Sequence, residues 1–471
     1  MEKNQIIEFT VEDMLDDGRA FGRYEGCAVF AQGGVPGDRI RARITKAKKS
    51  SAEAVLTEIV DPSPDRVKAQ CPYAGECGGC TLQELSYEAQ KRLKTGQVRS
   101  KLTRLGGLDD PKVNDIIGAD TLLYYRNKAV FAVGPHGEVG FRKAKSHFVM
   151  DIDDCLLQSD AAMVCADALR EYLRRTHASC ITQLTVRTAF ATGEVMAVID
   201  SEKKDLPEAE MLVELLDDAV ASLTPEDDEE SAELIYSLES VAVIHKGKCT
   251  IIAGKPTITE QVITDEGRAI DFEISPQSFY QVNPEQMIRL YAKAAEYAGL
   301  TGSETVLDLY CGVGTIGIWM ADRAERVIGI ESVKPAVIDA NRNSVINGLI
   351  NTRYICGKAE EELPGMMGLS KLYKWNEVNE RVEREPEIRL EHADVAILDP
   401  PRAGCEEALL SAVVQAGPDR IVYVSCDPGT LARDIRYLTE RGYEFIECTP
   451  VDQFPWTSHV ECVVLMSKAS T

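Results

Sequence analysis

The sequence lacks any apolar run of about 18 residues, which is the length that a helix needs to cross a bilayer. Its polar N-terminus also lacks the apolar core of a signal peptide. Positive charge is scarce as well, because 52 lysines and arginines face 76 aspartates and glutamates and leave a net charge of −24. These absences argue against a membrane protein, a secreted protein and a uniformly basic nucleic-acid-binding chain. We therefore expect a cytoplasmic protein that makes no membrane contact.

The length of the chain, 471 residues, exceeds one ordinary domain and predicts about three. Hydrophobic residues make up 44% and charged residues 27% of the chain, which is typical of globular proteins and excludes a disordered or collagen-like chain. In a reducing compartment, the 14 cysteines indicate core thiols, metal ligands or catalytic groups, because disulfides do not persist there.

Residues 1–62 are predicted to form a small β-barrel, because glycine-containing turns separate five short apolar or alternating runs. Six cations and no acid lie between Arg39 and Lys49. This strip is equally typical of a solvated sheet edge and of a surface that faces phosphates. A helix predicted over 87–105 carries a second basic surface, formed by Lys91, Arg92, Lys94, Arg99, Lys101 and Arg104.

From about residue 275, predicted strands and helices alternate, which indicates a parallel, doubly wound sheet. Two charged segments receive no chemical role. Between Asp205 and Glu239 there are 13 acidic residues and no lysine or arginine, a pattern typical of a solvated helix and loop. Residues 365–390 are charged without periodicity and predict an inserted surface loop.

A glycine-rich turn follows the strand predicted over 305–309, with glycines at 312, 314 and 317, and a helix begins after it. Such glycines let the backbone approach a ligand closely. Glu331, 19 residues after Gly312, ends the next strand, where a carboxylate can accept hydrogen bonds from ribose hydroxyls. A dinucleotide and S-adenosylmethionine both fit this spacing. Asp308 favours S-adenosylmethionine, because a carboxylate repels a pyrophosphate and attracts a cationic cofactor.

Two later strands end in polar residues, Asp399 and Cys426, and should face the same crevice, since ligands bind at the carboxyl ends of parallel strands. The predicted helix after Cys426 should stabilise its thiolate through the helix dipole and free amides. Near the C-terminus, His459 and Glu461 could each be an ordinary loop residue when taken alone.

A cluster of cysteines, Cys71, Cys77 and Cys80, is predicted to bind a metal, and Cys155 is the candidate fourth ligand. Thiolates are the preferred ligands of both zinc and iron–sulfur clusters. The spacing of the cysteines leaves these two possibilities open.

Five motifs follow one another in the second half of the chain: Gln277-Ser-Phe-Tyr-Gln281-Val-Asn283, Asp308-Leu-Tyr-Cys-Gly312, Asp399-Pro-Pro-Arg402, Val424-Ser-Cys-Asp-Pro-Gly-Thr-Leu-Ala-Arg-Asp434 and Ser458-His-Val-Glu461. Together they resemble the RNA 5-methyluridine methyltransferases, and the N-terminal β unit is similar to the TRAM barrel of the ribosomal-RNA members. The resemblance implies a multidomain α/β fold. An OB-like TRAM barrel (1–62) would precede a central α+β domain with an iron–sulfur site (63–274) and a Rossmann-like class I methyltransferase domain (275–471).

The resemblance also implies roles at matching positions. Cys426 would be the nucleophile, and Glu461 would be the base that removes the C5 proton of uracil. S-adenosylmethionine would be bound by Gln281, Tyr310, Glu331 and Asp399. A [4Fe–4S] cluster, with zinc as the runner-up, would be bound by Cys71, Cys77, Cys80 and Cys155. The implied reaction is methylation of C5 of a uridine in RNA, with 23S ribosomal RNA as the expected substrate.

Three other hypotheses remain at this point. The same chemistry could act on transfer RNA. An NAD-dependent iron–sulfur oxidoreductase would share the glycine turn and the cysteine cluster, but it leaves Cys426 unexplained. A non-catalytic RNA-binding protein would use only the barrel and the basic helix. The sequence suggests no obligate protein partner.

Overall fold

The computed structural model describes residues 1–224, 234–375 and 381–469. Within these ranges no helix is both long enough and apolar enough to span a membrane. The described chain contains an N-terminal barrel, a central seven-stranded sheet and a C-terminal seven-stranded sheet.

The N-terminal barrel is closed, with strand order β1-β2-β3-β5-β4, which confirms the barrel predicted for residues 1–62. Alternation places every second side chain inside, so that Ile7, Phe9 and Val11 are buried on the first strand. The strands are β1 (Ile6–Met14), β2 (Ala20–Tyr24), β3 (Cys27–Gln32), β4 (Arg39–Ala47) and β5 (Ser51–Asp61).

Asp38, a buried carboxylate, joins the barrel to the segment that follows it. It accepts hydrogen bonds from the backbone amides of Val35 and Ser63, and from the guanidinium of Arg66. Burial alone would raise the pKa of Asp38, but Arg66 and the two amides outweigh it and lower the pKa. The barrel is therefore anchored by a charged contact and is not simply tethered by a linker.

The central sheet has strand order β12-β11-β10-β9-β6-β7-β8, and its core is shared with two helices. Its strands are β6 (Lys128–Val133), β7 (Val139–Arg142), β8 (Val149–Asp151), β9 (Ile181–Thr188), β10 (Glu194–Ser201), β11 (Ser237–His245) and β12 (Lys248–Gly254). The helices of this region are α1 (Tyr87–Arg104), α2 (Asp160–Thr176) and α3 (Ala209–Ala221).

The C-terminal sheet has strand order β17-β16-β15-β20-β21-β23-β22, and β23 runs antiparallel to both of its neighbours. The first five strands of that order are parallel, which confirms the predicted doubly wound sheet. The sheet strands are β15 (Thr305–Leu309), β16 (Arg326–Glu331), β17 (Thr352–Cys356), β20 (Val395–Leu398), β21 (Arg420–Ser425), β22 (Tyr443–Val451) and β23 (Glu461–Lys468).

Helices cover both faces of this sheet. Residues of α4, α5 and α6 share one hydrophobic core, whereas α1, α7, α8 and α9 contribute to the other. These helices are α4 (Pro284–Ala298), α5 (Thr315–Met320), α6 (Lys334–Ile346), α7 (Ala359–Met366), α8 (Glu407–Ala416) and α9 (Pro428–Thr439). A 3₁₀ turn, Ala321–Arg323, follows α5.

Two short hairpin pairings complete the fold. The first, β13 (Ile258–Ile263) with β14 (Ala269–Ile274), packs into the core that α4 and α6 share, so residues before 275 contact the C-terminal domain. The predicted domain boundaries at 62/63 and 274/275 stay predictions. The second pairing, β18 (Leu372–Trp375) with β19 (Arg381–Arg384), lies where we expected only a surface loop, and Leu372 is buried there. Residues 376–380 lie outside the described chain.

The acidic segment 205–239 is partly ordered into α3, whose Leu212, Leu216 and Val220 are buried against the central sheet. The prediction of a solvated helix is therefore correct for only one face of α3. Residues 225–233, which hold part of the acidic run, lie outside the described chain.

The prediction of a basic surface on α1 is wrong for most of the cations of that helix. Lys94 is fully buried and forms an ion pair with Asp452 at 2.5 Å. Three further cations form ion pairs with carboxylates on the same helix or elsewhere in the chain: Lys91 with Glu88, Arg92 with Asp65 and Lys101 with Asp16. In the barrel strip, Arg39 and Arg41 likewise pair with Glu8.

Candidate active site

The glycine turn lies at the carboxyl end of β15, as its sequence predicts. Gly312 and Gly314 have φ angles of 55° and 81°, in the left-handed region that favours glycine. A Cβ at Gly312 would meet no atom within 4 Å, so open space lies in front of the turn. A Cβ at Gly317 would instead lie 2.8 Å from Oδ2 of Asp308, which accepts a hydrogen bond from the Gly317 amide.

Three carboxyl groups surround this turn. Burial raises the pKa of Asp308 to about 7, and Glu331 adds to the shift. Burial, with repulsion from Asp308, raises the pKa of Asp399 to about 7 as well. Oδ1 of Asp308 is buried without a hydrogen-bond partner. An unpaired acceptor with two other carboxyl groups near it favours a ligand that carries positive charge.

Glu331 fixes the turn through its own carboxylate. Its Oε2 accepts from the Gly312 amide at 3.2 Å, and its Oε1 accepts from the Val333 amide at 2.7 Å. The residue lies at the end of β16, beside the turn, as expected for a group that contacts a ribose.

Cys426 lies between β21 and α9, and its environment differs from the expected one. Asp427 caps α9 by accepting from the amides of Gly429 and Thr430, so the free N-terminal amides are already satisfied. Burial and the carboxylate of Glu461 raise the pKa of the Cys426 thiol to about 11, whereas Arg402 lowers it. The predicted stabilisation of the thiolate by the helix terminus is therefore outweighed by burial and by Glu461.

Glu461 is buried at the start of β23, opposite Cys426. Burial raises its pKa to about 8, and repulsion from Asp399 adds to the shift. Arg402 acts on both Glu461 and Cys426, and its Nη2 lies 3.4 Å from Nε2 of His459. The sequence assigned no role to Arg402 or His459, yet both line the cavity that contains the Cys426 thiol.

A cavity of 390 Å³ opens onto Cys426 and is lined by all three parts of the chain. The barrel contributes Asp16 and Asp17, and the cysteine-rich segment contributes Gly78, Gly79 and Thr81. Helix α1 contributes Gln97 and Lys101. The site is therefore composite, which no single motif in the sequence indicates.

The segment 452–460, between β22 and β23, leads to Glu461 and is held by residues that are remote in sequence. Lys94 donates to Oδ1 of Asp452 at 2.5 Å and to the carbonyl of Phe454 at 3.1 Å. The amides of Thr81 and Leu82 both donate to the carbonyl of Trp456 at 3.0 Å.

Trp456, on the same segment, has a φ of 68°, an unfavourable value for a bulky residue. Its amide donates to Oε1 of the buried Gln90, and its indole donates to the carbonyl of Leu122. A strained backbone conformation of this kind persists only where surrounding contacts hold the backbone in place. The segment is therefore clamped by the central region.

Two other predicted residues are less closely connected. Tyr310, with a φ of 66°, follows β15 and packs at the edge of the core formed by α8 and α9. Gln281 is buried before α4, and its backbone carbonyl accepts from Asn127. In the described chain, no recorded contact joins the Gln281 side chain to the carboxyl groups around the glycine turn. The binding roles of both residues stay predictions.

The four predicted metal ligands are brought together. Cys71, Cys77, Cys80 and Cys155 line one cavity of 400 Å³, and all four are free thiols. Burial raises the pKa of Cys80 to about 12, and the other three cysteines add to the shift. The one set of three candidate ligand atoms within 4.8 Å of one another in the described residues is His392, Asp394 and Asp419. No three of the four cysteine sulfurs therefore lie within 4.8 Å of one another.

Comparison with known proteins matches a family model to each end of the chain. Residues 2–57 match the model of the TRAM domain, and residues 210–469, more than half of the chain, match the model of tRNA (uracil-5-)-methyltransferase. Two relatives described as uncharacterised RNA methyltransferases cover nearly the whole chain. The one from Caldanaerobacter subterraneus is 41% identical over 98% of this chain and 98% of its own. The one from Halalkalibacterium halodurans is 37% identical over 99% of this chain and 98% of its own.

A solved structure shares the arrangement of the whole chain. It is the Pyrococcus abyssi tRNA (uracil-54, C5)-methyltransferase in complex with S-adenosyl-L-homocysteine, which is 26% identical, covers 98% of this chain and 99% of its own, and has a TM-score of 0.71. The fold and the site thus define a TRAM-containing α/β methyltransferase. The chain belongs to the tRNA (uracil-5-)-methyltransferase family. Neither matching family model is that of an oxidoreductase, so the NAD-dependent alternative gains no support.

Replacing Lys94 by Met should destabilise the protein by about 3–5 kcal/mol, because Asp452 would remain buried without its partner. Chemical denaturation should detect the loss. Arg104→Met, which removes an exposed cation from the same helix, should cost less than about 0.5 kcal/mol. Equal losses for the two variants would contradict a clamping role for Lys94.

Proposed function

We propose that the protein transfers a methyl group from S-adenosylmethionine to C5 of a uridine in 23S ribosomal RNA, through a transient bond between Cys426 and C6 of the uracil. One observation carries this proposal. A thiol and a buried carboxyl, Cys426 and Glu461, act on each other electrostatically at the end of the sheet where the glycine turn lies, and a cavity of 390 Å³ opens onto the thiol.

The residues around the glycine turn fit S-adenosylmethionine. Open space in front of Gly312 leaves room for a ligand against the backbone, and the unpaired Oδ1 of Asp308 offers an acceptor to a cationic group. Glu331 and Asp399 add negative charge at neighbouring strand ends, and Gln281 and Tyr310 complete the proposed set. When bound, S-adenosylmethionine supplies a methyl group on a positively charged sulfur.

The chemistry explains why both a thiol and a base are required. The Cys426 thiol first loses its proton to water. The thiolate then adds to C6 of uracil and moves electron density to C5, which is otherwise a weak nucleophile and now takes up the methyl group. Once C5 carries both a methyl group and its original hydrogen, Glu461 removes that proton, and the bond between sulfur and C6 breaks. The raised pKa of Glu461, about 8, makes it a stronger base than an ordinary carboxylate. Arg402 favours the thiolate form of Cys426.

RNA that contains 5-fluorouridine traps the covalent complex, because fluorine at C5 cannot be removed as a proton. Replacing Cys426 by Ala should abolish both methylation and this complex, since no thiol remains to attack C6. Glu461→Gln should lower turnover by about 10²- to 10⁴-fold and let the covalent complex accumulate on ordinary RNA. Denaturing gels resolve the complex. Cys249→Ala, at a thiol on β12, is the matched control and should behave as the unchanged protein. A trapped complex with Cys426→Ala would refute the assigned nucleophile.

Ribosomal RNA is the proposed substrate because the TRAM barrel and the four cysteines together resemble the ribosomal-RNA members. Transfer RNA is the second candidate, because the structurally similar Pyrococcus abyssi enzyme acts on transfer RNA.

Deleting the gene should remove 5-methyluridine from 23S ribosomal RNA and leave transfer RNA unchanged, as mapping of the modified base in both RNAs would measure. Re-expression of the protein should restore the modification, whereas the Cys426→Ala variant should not. Loss of the modification from transfer RNA alone would replace the proposed substrate by the second candidate and leave the chemistry intact.

A [4Fe–4S] cluster is the proposed occupant of the cavity that Cys71, Cys77, Cys80 and Cys155 line. Four free thiols suit a soft metal centre. A single zinc ion would draw its sulfurs to roughly 3.8 Å from one another, given zinc–sulfur bonds of about 2.3 Å. A cluster whose cysteines bind different iron atoms tolerates wider spacing, in keeping with the absence of any three of these sulfurs within 4.8 Å of one another. We assign it a structural role, because methyl transfer moves no electrons.

Protein purified without oxygen should contain iron and sulfide in equal amounts, and Cys80→Ser should lose both, as elemental analysis and visible absorption would show. Cys27→Ser, at a partly exposed thiol of the barrel, should retain them. Zinc in place of iron in the unchanged protein would favour the runner-up metal, and the absence of both metals would exclude a metal centre.

A further inference from the structure

Residues 142–148, which are the last residue of β7 and the loop to β8, form a basic segment that the proposed function does not yet use. It contains Arg142, Lys143, Lys145 and His147, followed by Phe148, whose surface is 64% exposed. An exposed aromatic ring next to several cations is unusual on a chain with a net charge of −24.

The loop is held in shape by the cysteine-rich segment. The Gly78 amide donates to the carbonyl of Arg142 at 3.1 Å, and the Ala144 amide donates to the carbonyl of Glu76 at 2.8 Å. Within the loop, the Lys143 amide donates to the carbonyl of Phe148 at 2.9 Å. The cations are therefore presented from an ordered turn that is docked beside Cys77.

Two cavities that share lining residues, together called the groove, lie between this loop and the nucleophile. A cavity of 530 Å³ is lined by residues 141–147 together with Gly78 and Gly79. The same two glycines line the cavity of 390 Å³ that contains Cys426. Gly78 and Gly79 therefore separate the cavity at the loop from the cavity at the thiol, and the two cavities are neighbours.

The charge at the loop end of this groove differs from that of the two surfaces considered earlier, whereas Asp16, Asp17 and Asp427 line the end at Cys426. No acid lines the 530 Å³ cavity, and Arg142 and Lys145 form no ion pair with any carboxylate of the described chain. Most cations of α1 are already neutralised within the protein, as are two of the barrel strip. Unpaired cations on an otherwise acidic protein provide the local positive potential that a polyanion requires.

We propose that the loop 142–148 binds the RNA strand that flanks the target uridine, with Arg142 and Lys145 on backbone phosphates and Phe148 stacked on an unpaired base. This inference rests on the proposed function, because the groove ends at Cys426. Stacking on an exposed aromatic ring next to phosphate contacts is a common mode of binding single-stranded RNA. An acidic protein could also bind the cations, but that interaction would not require a groove that ends at the nucleophile.

The double variant Arg142→Gln/Lys145→Gln tests the phosphate contacts. Removing two contacts should reduce the dependence of log Kd on log salt by about 1.4, since each phosphate contact on a single strand contributes about 0.7. Affinity for RNA should fall, the KM for RNA should rise, and the Kd for S-adenosylmethionine should stay unchanged. Lys203→Gln/Lys204→Gln removes two exposed cations that line none of these cavities and should leave all values unchanged.

Phe148→Ala tests the stacking contact and should weaken RNA binding roughly 5- to 100-fold without changing the salt dependence. Unfolding temperature and metal content, measured for every variant, distinguish a lost contact from a damaged fold. If the double variant keeps the salt dependence and the RNA affinity of the unchanged protein, the proposal is overturned. Failure of the unchanged protein to methylate RNA that it binds through this loop would instead overturn the proposed function alone.

Discussion

The ion pair between Lys94 and Asp452 is the contact on which the composite site depends. Both groups are fully buried, and their 2.5 Å contact crosses from α1 to the segment that leads into Glu461. Burial lowers the pKa of Lys94 although Asp452 opposes the shift. Gln90, one turn earlier on the same helix, holds Trp456 in its strained conformation. The central region therefore determines where Glu461, the proposed base, lies, and Cys80 precedes the two amides that complete this clamp.

Charge is divided between two parts of the molecule. Asp308, Asp399 and Glu461 crowd the carboxyl ends of the parallel strands, and burial with mutual repulsion raises the pKa of each. Such a pocket favours a cationic ligand and opposes a phosphate. The unpaired cations Arg142 and Lys145 lie instead at the far end of the groove, in the cavity that no acid lines. This division reconciles a net charge of −24 with a polyanionic substrate.

Local patterns predicted several features correctly because short-range geometry controls them. The glycine turn, the barrel strands and the parallel sheet each follow from residue periodicity and backbone preference. Patterns failed where a distant partner decides the environment. Lys94 looked like one of several exposed helix cations, and the residues around 372–384 looked like a loop, yet each has a partner that sequence spacing does not show. The Cys426 thiol likewise meets Glu461, 35 positions later in the chain, instead of the free amides we expected.

The sequence by itself determined the residue types of the proposed site, since the thiol of Cys426, the carboxyl of Glu461 and the glycine turn are readable from its motifs. The tertiary structure alone decided how they act together. The pKa values depend on burial and on charges brought close by folding, which no linear spacing records. The groove past Gly78 and Gly79 exists only because the cysteine-rich segment, the barrel and the C-terminal sheet pack against one another.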